Sequence, residues 1–281
     1  MEAKKVAVVG NGRYGSFFAD FFQKGGCKVR VSDIGTTPST EEIVVWADVV
    51  LIAVTLFETV KVIEAISPLL REDQLIMDIA SVKSGPVRAM LQSEASVLGM
   101  HPFTAPPRSG TFKGQTIFIC SARISENWQR WVDTFLLETE GNIVEVSTEK
   151  HDVPRTVDQF IEHMCTMLKV SVMRRLELEP SDLLKVASPV YRMTSAQMAR
   201  MFAQSSALYG GIAIANEHIP QTLRFFQEEF ERYAQIVTTG DMVAYSSEFD
   251  ANKEYLGPTN IAESFALSEA LVKTMVDMQA K

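Results

Sequence analysis

The sequence is poor in cysteine, with Cys27, Cys120 and Cys165 alone among 281 residues. Three scattered thiols cannot build a disulfide framework or a structural zinc site. Each is expected to be a small buried hydrophobe, and no metal centre is expected. Long apolar runs are also missing. None approaches the ~20 residues that span a bilayer, and Val6 to Val9 is too short for a signal-peptide core. A cytoplasmic protein without a membrane partner is the expectation. A basic face is absent too: the formal net charge is −8, with 15 basic and 18 acidic side chains in residues 1–150 and 12 and 17 in the rest. That balance argues against nucleic acid as a partner, while leaving room for a local basic pocket around a small anion.

What is present suits a globular chain that can bury a core without staples, with 46% hydrophobic and 22% charged residues. The first half alternates short β-branched runs with helix-like stretches, the pattern of a parallel sheet with crossover helices. Val6–Val9, Lys28–Ser32, Val49–Val54, Leu75–Ile79, Val97–Met100, Thr116–Cys120 and Ile143–Val146 read as strands. Arg13–Gln23, Glu58–Leu70 and Asn127–Glu140 read as helices. After Glu149 strand-like alternation disappears and helix formers dominate, with most of the methionines, which suit flexible packing between helices. Thr194-Ser195-Ala196-Gln197 has capping-box spacing, and Gly210-Gly211 and Gly257-Pro258 read as turns or helix stops. The fold class expected is α/β, an N-terminal doubly wound sheet followed by an all-α domain. The boundary falls near residue 150.

The sharpest local signal is Gly10-Asn11-Gly12-Arg13-Tyr14-Gly15, between the first strand and the first helix. In that context glycines serve a tight turn, close approach of a pyrophosphate and helix-on-strand packing, with the phosphates at the helix N-terminus. Asp33 ends the second strand at the distance expected of the carboxylate that binds the adenosine ribose. It would repel a 2′-phosphate, and Ile34, Gly35 and Thr36 offer no arginine to hold one, so NAD is favoured over NADP.

Three later segments choose among dehydrogenases built this way. Asp78-Ile79-Ala80-Ser81-Val82-Lys83-Ser84-Gly85-Pro86 resembles the strand-to-helix turn of prephenate dehydrogenases, and Leu98-Gly99-Met100-His101-Pro102 their histidine-proline motif. Ser188-Pro189-Val190-Tyr191-Arg192, followed by Arg200, resembles the arginine-bearing helices of the enterobacterial type. His151-Asp152, Gln159 and His163 fit the same pattern, and the likeness keeps order from Lys5 to about Ala215. The resemblance implies a Rossmann domain over 1–150 and a helical substrate-binding and dimerisation domain over 151–281. It implies NAD-dependent oxidative decarboxylation of prephenate to 4-hydroxyphenylpyruvate, a step of tyrosine biosynthesis, in a homodimer. Some members of that family carry a fused chorismate mutase; with the Rossmann strand starting at Val6, a stand-alone dehydrogenase is expected.

The same resemblance assigns roles. His101 accepts the C4 hydroxyl proton, which suits an imidazole of ordinary pKa about 6.5, and Ser81 hydrogen-bonds beside it. Arg200 clamps a carboxylate through paired hydrogen bonds. Gln159 and His163, four apart, face the substrate's side chain. Lys83 and Arg192 belong to the substrate neighbourhood, Lys83 either anchoring its turn or biasing the field. Val54 joins the glycine loop and Asp33 around the cofactor. His151 is expected to cap or order its helix, and His218 to be an exposed helix residue.

One departure stands out. The family usually continues its histidine-proline motif with glycine-proline, whereas here the run is Phe103-Thr104-Ala105-Pro106-Pro107. Ala105 has no easy access to positive φ, which leaves arogenate and 4-amino-4-deoxyprephenate open as substrates. Gln159 leans toward prephenate. A β-hydroxyacid-type dehydrogenase would need a glycine-rich lysine motif, which Lys169 lacks. A non-catalytic NAD-binding regulatory protein would be favoured by loss of His101 or Arg200, and both are present.

Overall fold

A computed structural model describes residues 2–279. Contacts divide the chain into two units, Met1–Phe160 with Ala207–Ile219, and Ile161–Ser206 with Pro220–Lys281. The first unit is built on a seven-stranded sheet of order β2-β1-β3-β4-β5-β6-β7. Its strands are β1 (Lys5–Val9), β2 (Lys28–Ser32), β3 (Val49–Ile52), β4 (Leu75–Asp78), β5 (Ser96–Pro102), β6 (Thr116–Arg123) and β7 (Asn142–Glu145). All pairings are parallel except β5 with β6. That pair departs from the all-parallel expectation because no helix intervenes between its strands, and a chain returning without a crossover must run antiparallel.

Strands β3 and β4 are near-continuous apolar runs because both faces are covered. On one face α1 (Arg13–Lys24) and α5 (Glu126–Glu138) bring Phe18, Phe22, Trp131 and Phe135 onto Val6, Val8, Leu51 and Met77. On the other, α2 (Thr40–Trp46), α3 (Leu56–Ile66) and α4 (Ser84–Met90) bring Ile43, Ile63, Ile66 and Met90 onto Ala7, Val50 and Ile76. In α1 the buried Gly15, Phe18, Ala19 and Phe22 recur at the spacing of a single helical stripe.

Every element after β7 is helical: α6 (Thr148–Arg155), α7 (Glu162–Arg175), α8 (Pro180–Lys185), α9 (Pro189–Phe202), α10 (Ser206–Ala215), α11 (Ile219–Thr239), α12 (Met242–Leu256) and α13 (Pro258–Gln279). A π-helical turn, Thr156–Ile161, follows α6. No described helix is long and apolar enough to cross a membrane.

Several expectations are corrected. Thr194–Gln197 lies inside α9, whose start is capped by Ser188 with Pro189 in the first turn, a position where the missing proline N–H costs nothing. Gly210 and Gly211 lie inside α10, where a Cβ on Gly211 would come within 3.1 Å of Leu56 Cβ, so close packing rather than a turn explains that glycine. Gly257 does end α12, with φ +76°. Cys27 and Cys120 are buried, but Cys165 is exposed on α7. His218 sits half-buried in the turn before α11 rather than on a helix.

Candidate active site

The carboxyl ends of β1 to β5 lie along one edge of the sheet, because these strands run parallel to one another. The order reverses between β1 and β3, the switch point where such sheets hold ligands. Gly10 occupies this point with φ +103°, and a Cβ there would meet Ala53 O at 2.5 Å. A Cβ on Gly15 would fall 1.9 Å from Gly10 O. These two glycines are dictated by the protein's own packing. Gly12 is different: a Cβ there would meet nothing within 4 Å, and it is the N-cap of α1, where first-turn N–H groups have no partner within the helix. The space over Gly12 is where an anion can approach backbone. Asn11 and Arg13 beside it are exposed.

Asp33, directly after β2, has an exposed carboxylate that accepts from Asn11 N at 2.8 Å and Ile34 N at 2.7 Å. These backbone bonds hold its pKa below the usual carboxylate value. The carboxylate therefore ties the end of strand two to the glycine loop. Val54, half-buried, follows β3 at the same switch point. Tyr14 turns away from the loop: its hydroxyl donates to the Thr104 carbonyl, fastening α1 to the segment after β5.

At the end of β4 the turn to α4 is closed by charge. Lys83 Nζ sits 2.5 Å from Asp78 Oδ2 and 2.8 Å from Met100 O, with both side chains shut from solvent. Gly99 beside it is dictated by α4, since a Cβ there would lie 2.7 Å from Val87 Cγ2 and in contact with Lys83 Cδ at 3.4 Å. Of the two sequence readings of Lys83, the geometry is that of an anchor for its turn. Ser81, half-buried, is carried on the loop so braced.

His101 lies near the carboxyl end of β5, four per cent exposed, with its ring edge-on to Phe103 at 5.4 Å. Its Nδ1 meets His151 Nε2 at 2.9 Å, and His151 Nδ1 meets Asp152 Oδ1 at 2.7 Å. Asp152 also accepts from Lys83 N and Ser84 N, each at 2.8 Å, at the start of α4. Burial drives the His101 pKa well below its ordinary value, and the charges of His151, Lys83 and Arg155 act in the same direction. Burial lowers His151 as well, against the pull of Asp152. Burial of Asp152 works to raise its carboxyl, but hydrogen bonds from His151, Ser84 and Lys83 outweigh it and leave it lowered. His151 thus corrects the expectation of a helix cap, a task done by Ser147.

Arg155 was not singled out by sequence. Its guanidinium stacks on Phe103 at 4.5 Å and Phe118 at 4.6 Å, and its buried Nη1 has no hydrogen-bond partner. The signal available was Arg155 four residues after His151, one helical turn on. Gln159 lies in the π turn with a buried, unpartnered Oε1.

The remaining candidates belong to the second unit. Arg200 is an exposed residue near the end of α9. Arg192, on the same helix, donates to Leu184 O at 2.6 Å and so ties α9 to the end of α8. His163 is half-buried at the start of α7.

A glycine loop at the switch point of a mostly parallel sheet, with a carboxylate directly after β2 bonded to it, defines a dinucleotide-binding fold. Residues 22–145 match the family described as prephenate dehydrogenase, nucleotide-binding domain. The T-protein of Enterobacter agglomerans is 28% identical over 258 residues, which cover 91% of this chain and 68% of that protein. A protein of Methanocaldococcus jannaschii described as a probable arogenate/prephenate dehydrogenase is 26% identical over 199 residues, 69% of this chain and 44% of that one. Over its nucleotide-binding part the chain is thus similar to the prephenate dehydrogenase family. Prephenate dehydrogenase from A. aeolicus, solved with hydroxyphenyl propionate and NAD+, superposes with a TM-score of 0.68 at 16% identity, covering 91% of this chain and 99% of that one, a likeness of fold.

Proposed function

We propose that this protein oxidises and decarboxylates prephenate to 4-hydroxyphenylpyruvate with NAD as hydride acceptor. The observation that carries the reading is His101, a buried imidazole held neutral on the same sheet edge as the glycine loop. A neutral imidazole can take the C4 hydroxyl proton, whereas imidazolium cannot. The open space at Gly12, the α1 N-terminus and the exposed Asp33 carboxylate fit NAD, with Asn11, Arg13 and Val54 around it. When bound, NAD supplies the hydride acceptor. The chain's own residues do the rest: Ser81 orients the hydroxyl and His101 takes its proton, while Arg200 is assigned the carboxylates and Gln159, His163 and Arg192 the rest of the substrate. Loss of the ring carboxylate as carbon dioxide then yields the aromatic ring. The family name supports this chemistry, and the hydroxyphenyl ligand of the A. aeolicus enzyme is a phenolic acid of the product's type.

The purified protein mixed with NAD and prephenate should generate NADH and 4-hydroxyphenylpyruvate. Turnover of arogenate, without turnover of prephenate, would reject the substrate and keep the chemistry. A homodimer through the helical region belongs to the same reading. Its support is apolar surface left bare on α11 to α13, where Val243 is 83% and Tyr255 90% exposed, with Phe230, Phe265 and Leu267 also open. A monomer by light scattering at micromolar concentration would overturn that part.

A further inference from the structure

A line of three side chains runs from the α4 N-terminus to the sheet edge: Asp152, His151, His101. The polarity of each hydrogen bond in it follows from the first. A carboxylate can only accept. Asp152 is held as a carboxylate by backbone donors from Lys83 and Ser84, and its own carbonyl accepts from Asn216 Nδ2 at 2.8 Å, so its position is fixed from both sides. His151 must then carry its proton on Nδ1. A neutral imidazole with a protonated Nδ1 has a bare Nε2, which can only accept. The bond between the two imidazoles therefore requires the proton on His101 Nδ1, and His101 Nε2 is left with its lone pair.

We infer that Asp152, acting through His151, sets the tautomer of His101 and so makes Nε2 the proton-accepting atom. Asp152 and His151 are positioning residues. This rests on the reading of His101 as the acceptor, and it adds the reason why a histidine that favours the Nε2–H form in water presents the opposite nitrogen here. The arrangement also explains a burial that would otherwise be wasteful. Two imidazoles and a carboxylate lie four per cent exposed or less, and each needs the next as its partner, because an unsatisfied polar group in that setting is costly. The charged groups around the line are Lys83, Asp78 and Arg155. Lys83 is paired with Asp78, and Arg155 donates to Asp158 through Nε while its buried Nη1 has no partner.

The chain has four histidines, which makes the tautomers directly readable. Full-length protein labelled with ¹⁵N in its imidazoles should show His101 and His151 both protonated on Nδ1 and bare on Nε2, in long-range ¹H–¹⁵N correlations assigned by single substitutions. A proton on His101 Nε2 in the wild-type protein would overturn the inference, whatever any variant does. Asp152→Asn turns an acceptor into a donor facing His151. It should reverse both tautomers and lower kcat by about 10³–10⁴-fold, as loss of an orienting carboxylate does in other histidine bases. KM and NAD affinity should stay within about threefold, since Asp152 is shut from solvent. Wild-type turnover in Asp152→Asn would equally sink the idea. The labelled-imidazole measurement needs no turnover, so a wrong substrate and a wrong relay give different results.

Discussion

Lys83 and Asp78 close the β4–α4 turn as an ion pair 2.5 Å across, and neither side chain has any exposure to solvent. Burial raises the Asp78 carboxyl while Lys83 opposes the rise. The pair braces the loop that carries Ser81, and the Lys83 backbone N–H helps hold Asp152. Breaking a buried pair from one side strands the other charge, at a cost of about 3–5 kcal/mol. Lys83→Met should therefore lower stability by that amount in urea unfolding. A paired Lys83→Met and Asp78→Leu change should recover a good part of it. A single change costing under about 1 kcal/mol would show the pair to be energetically idle.

The three loop glycines should separate by what each one faces. Gly15→Ala drives a methyl into Gly10 O and should cost ~3 kcal/mol or more, the upper range for overpacking. Gly12→Ala meets open space, so unfolding should shift by no more than about 1 kcal/mol. NAD binding should nonetheless weaken markedly in calorimetry, because the methyl stands where the pyrophosphate approaches backbone. Normal NAD affinity in Gly12→Ala would move the phosphates elsewhere.

Legibility of the fold and site followed the range of the causes. Strands and α1 were readable because their signals are local: apolar runs, a glycine turn, a single helical stripe. Helix α2 was missed although Ser39 and Glu42 form a true capping box, while Thr194–Gln197 mimicked one inside α9. The four-residue spacing is identical, and the difference lies upstream, where Ser188-Pro189 had already begun the helix. His101 was legible through its motif, yet its partners were not. His151 and Asp152 reach it only because α6 packs against the start of α4, a tertiary relation that no periodicity encodes. Gly99 likewise looked like part of a motif and is explained by Val87, whose Cγ2 would lie 2.7 Å from a Cβ there.

Acid pH should test the electrostatics of the site. An unfolded histidine titrates near 6.5, whereas folded His101 and His151 are both depressed. Their contribution to stability is complete above the unfolded value and is lost as pH falls from there toward the folded values, because the unfolded chain takes up protons that the folded chain refuses. The kcat profile should likewise stay flat below pH ~6.5 and drop only at lower pH. Arg155→Met removes a cation that depresses His101, so the acid limb should move upward toward the ordinary value. A limb already centred above that value in the wild type would contradict a buried neutral base.

Cofactor choice turns on Asp33. Its carboxylate is exposed toward the loop and fixed by two backbone N–H groups, so a 2′-phosphate would meet an ordered negative charge. Asp33→Ala with an arginine placed at Ile34 should shift kcat/KM from NAD toward NADP. A wild-type preference for NADP would remove the role given to Asp33.

Binding and chemistry should separate between Arg200 and His101. Arg200 is exposed and is proposed to meet a carboxylate, a contact made already in the ground state. Arg200→Ala should then raise KM by about 30-fold or more, the low end of ~2 kcal/mol for a desolvated charge pair, with kcat changed far less. His101 acts when the hydroxyl proton moves, a contribution confined to the transition state. His101→Asn should leave KM nearly intact and reduce kcat by about 10²–10⁴-fold. The acid limb should vanish in the same variant, because the imidazole that accepts the hydroxyl proton is gone. If it persisted unchanged, the titrating base would be another group, and His151, 2.9 Å from His101 Nδ1, would be the first to examine by His151→Phe.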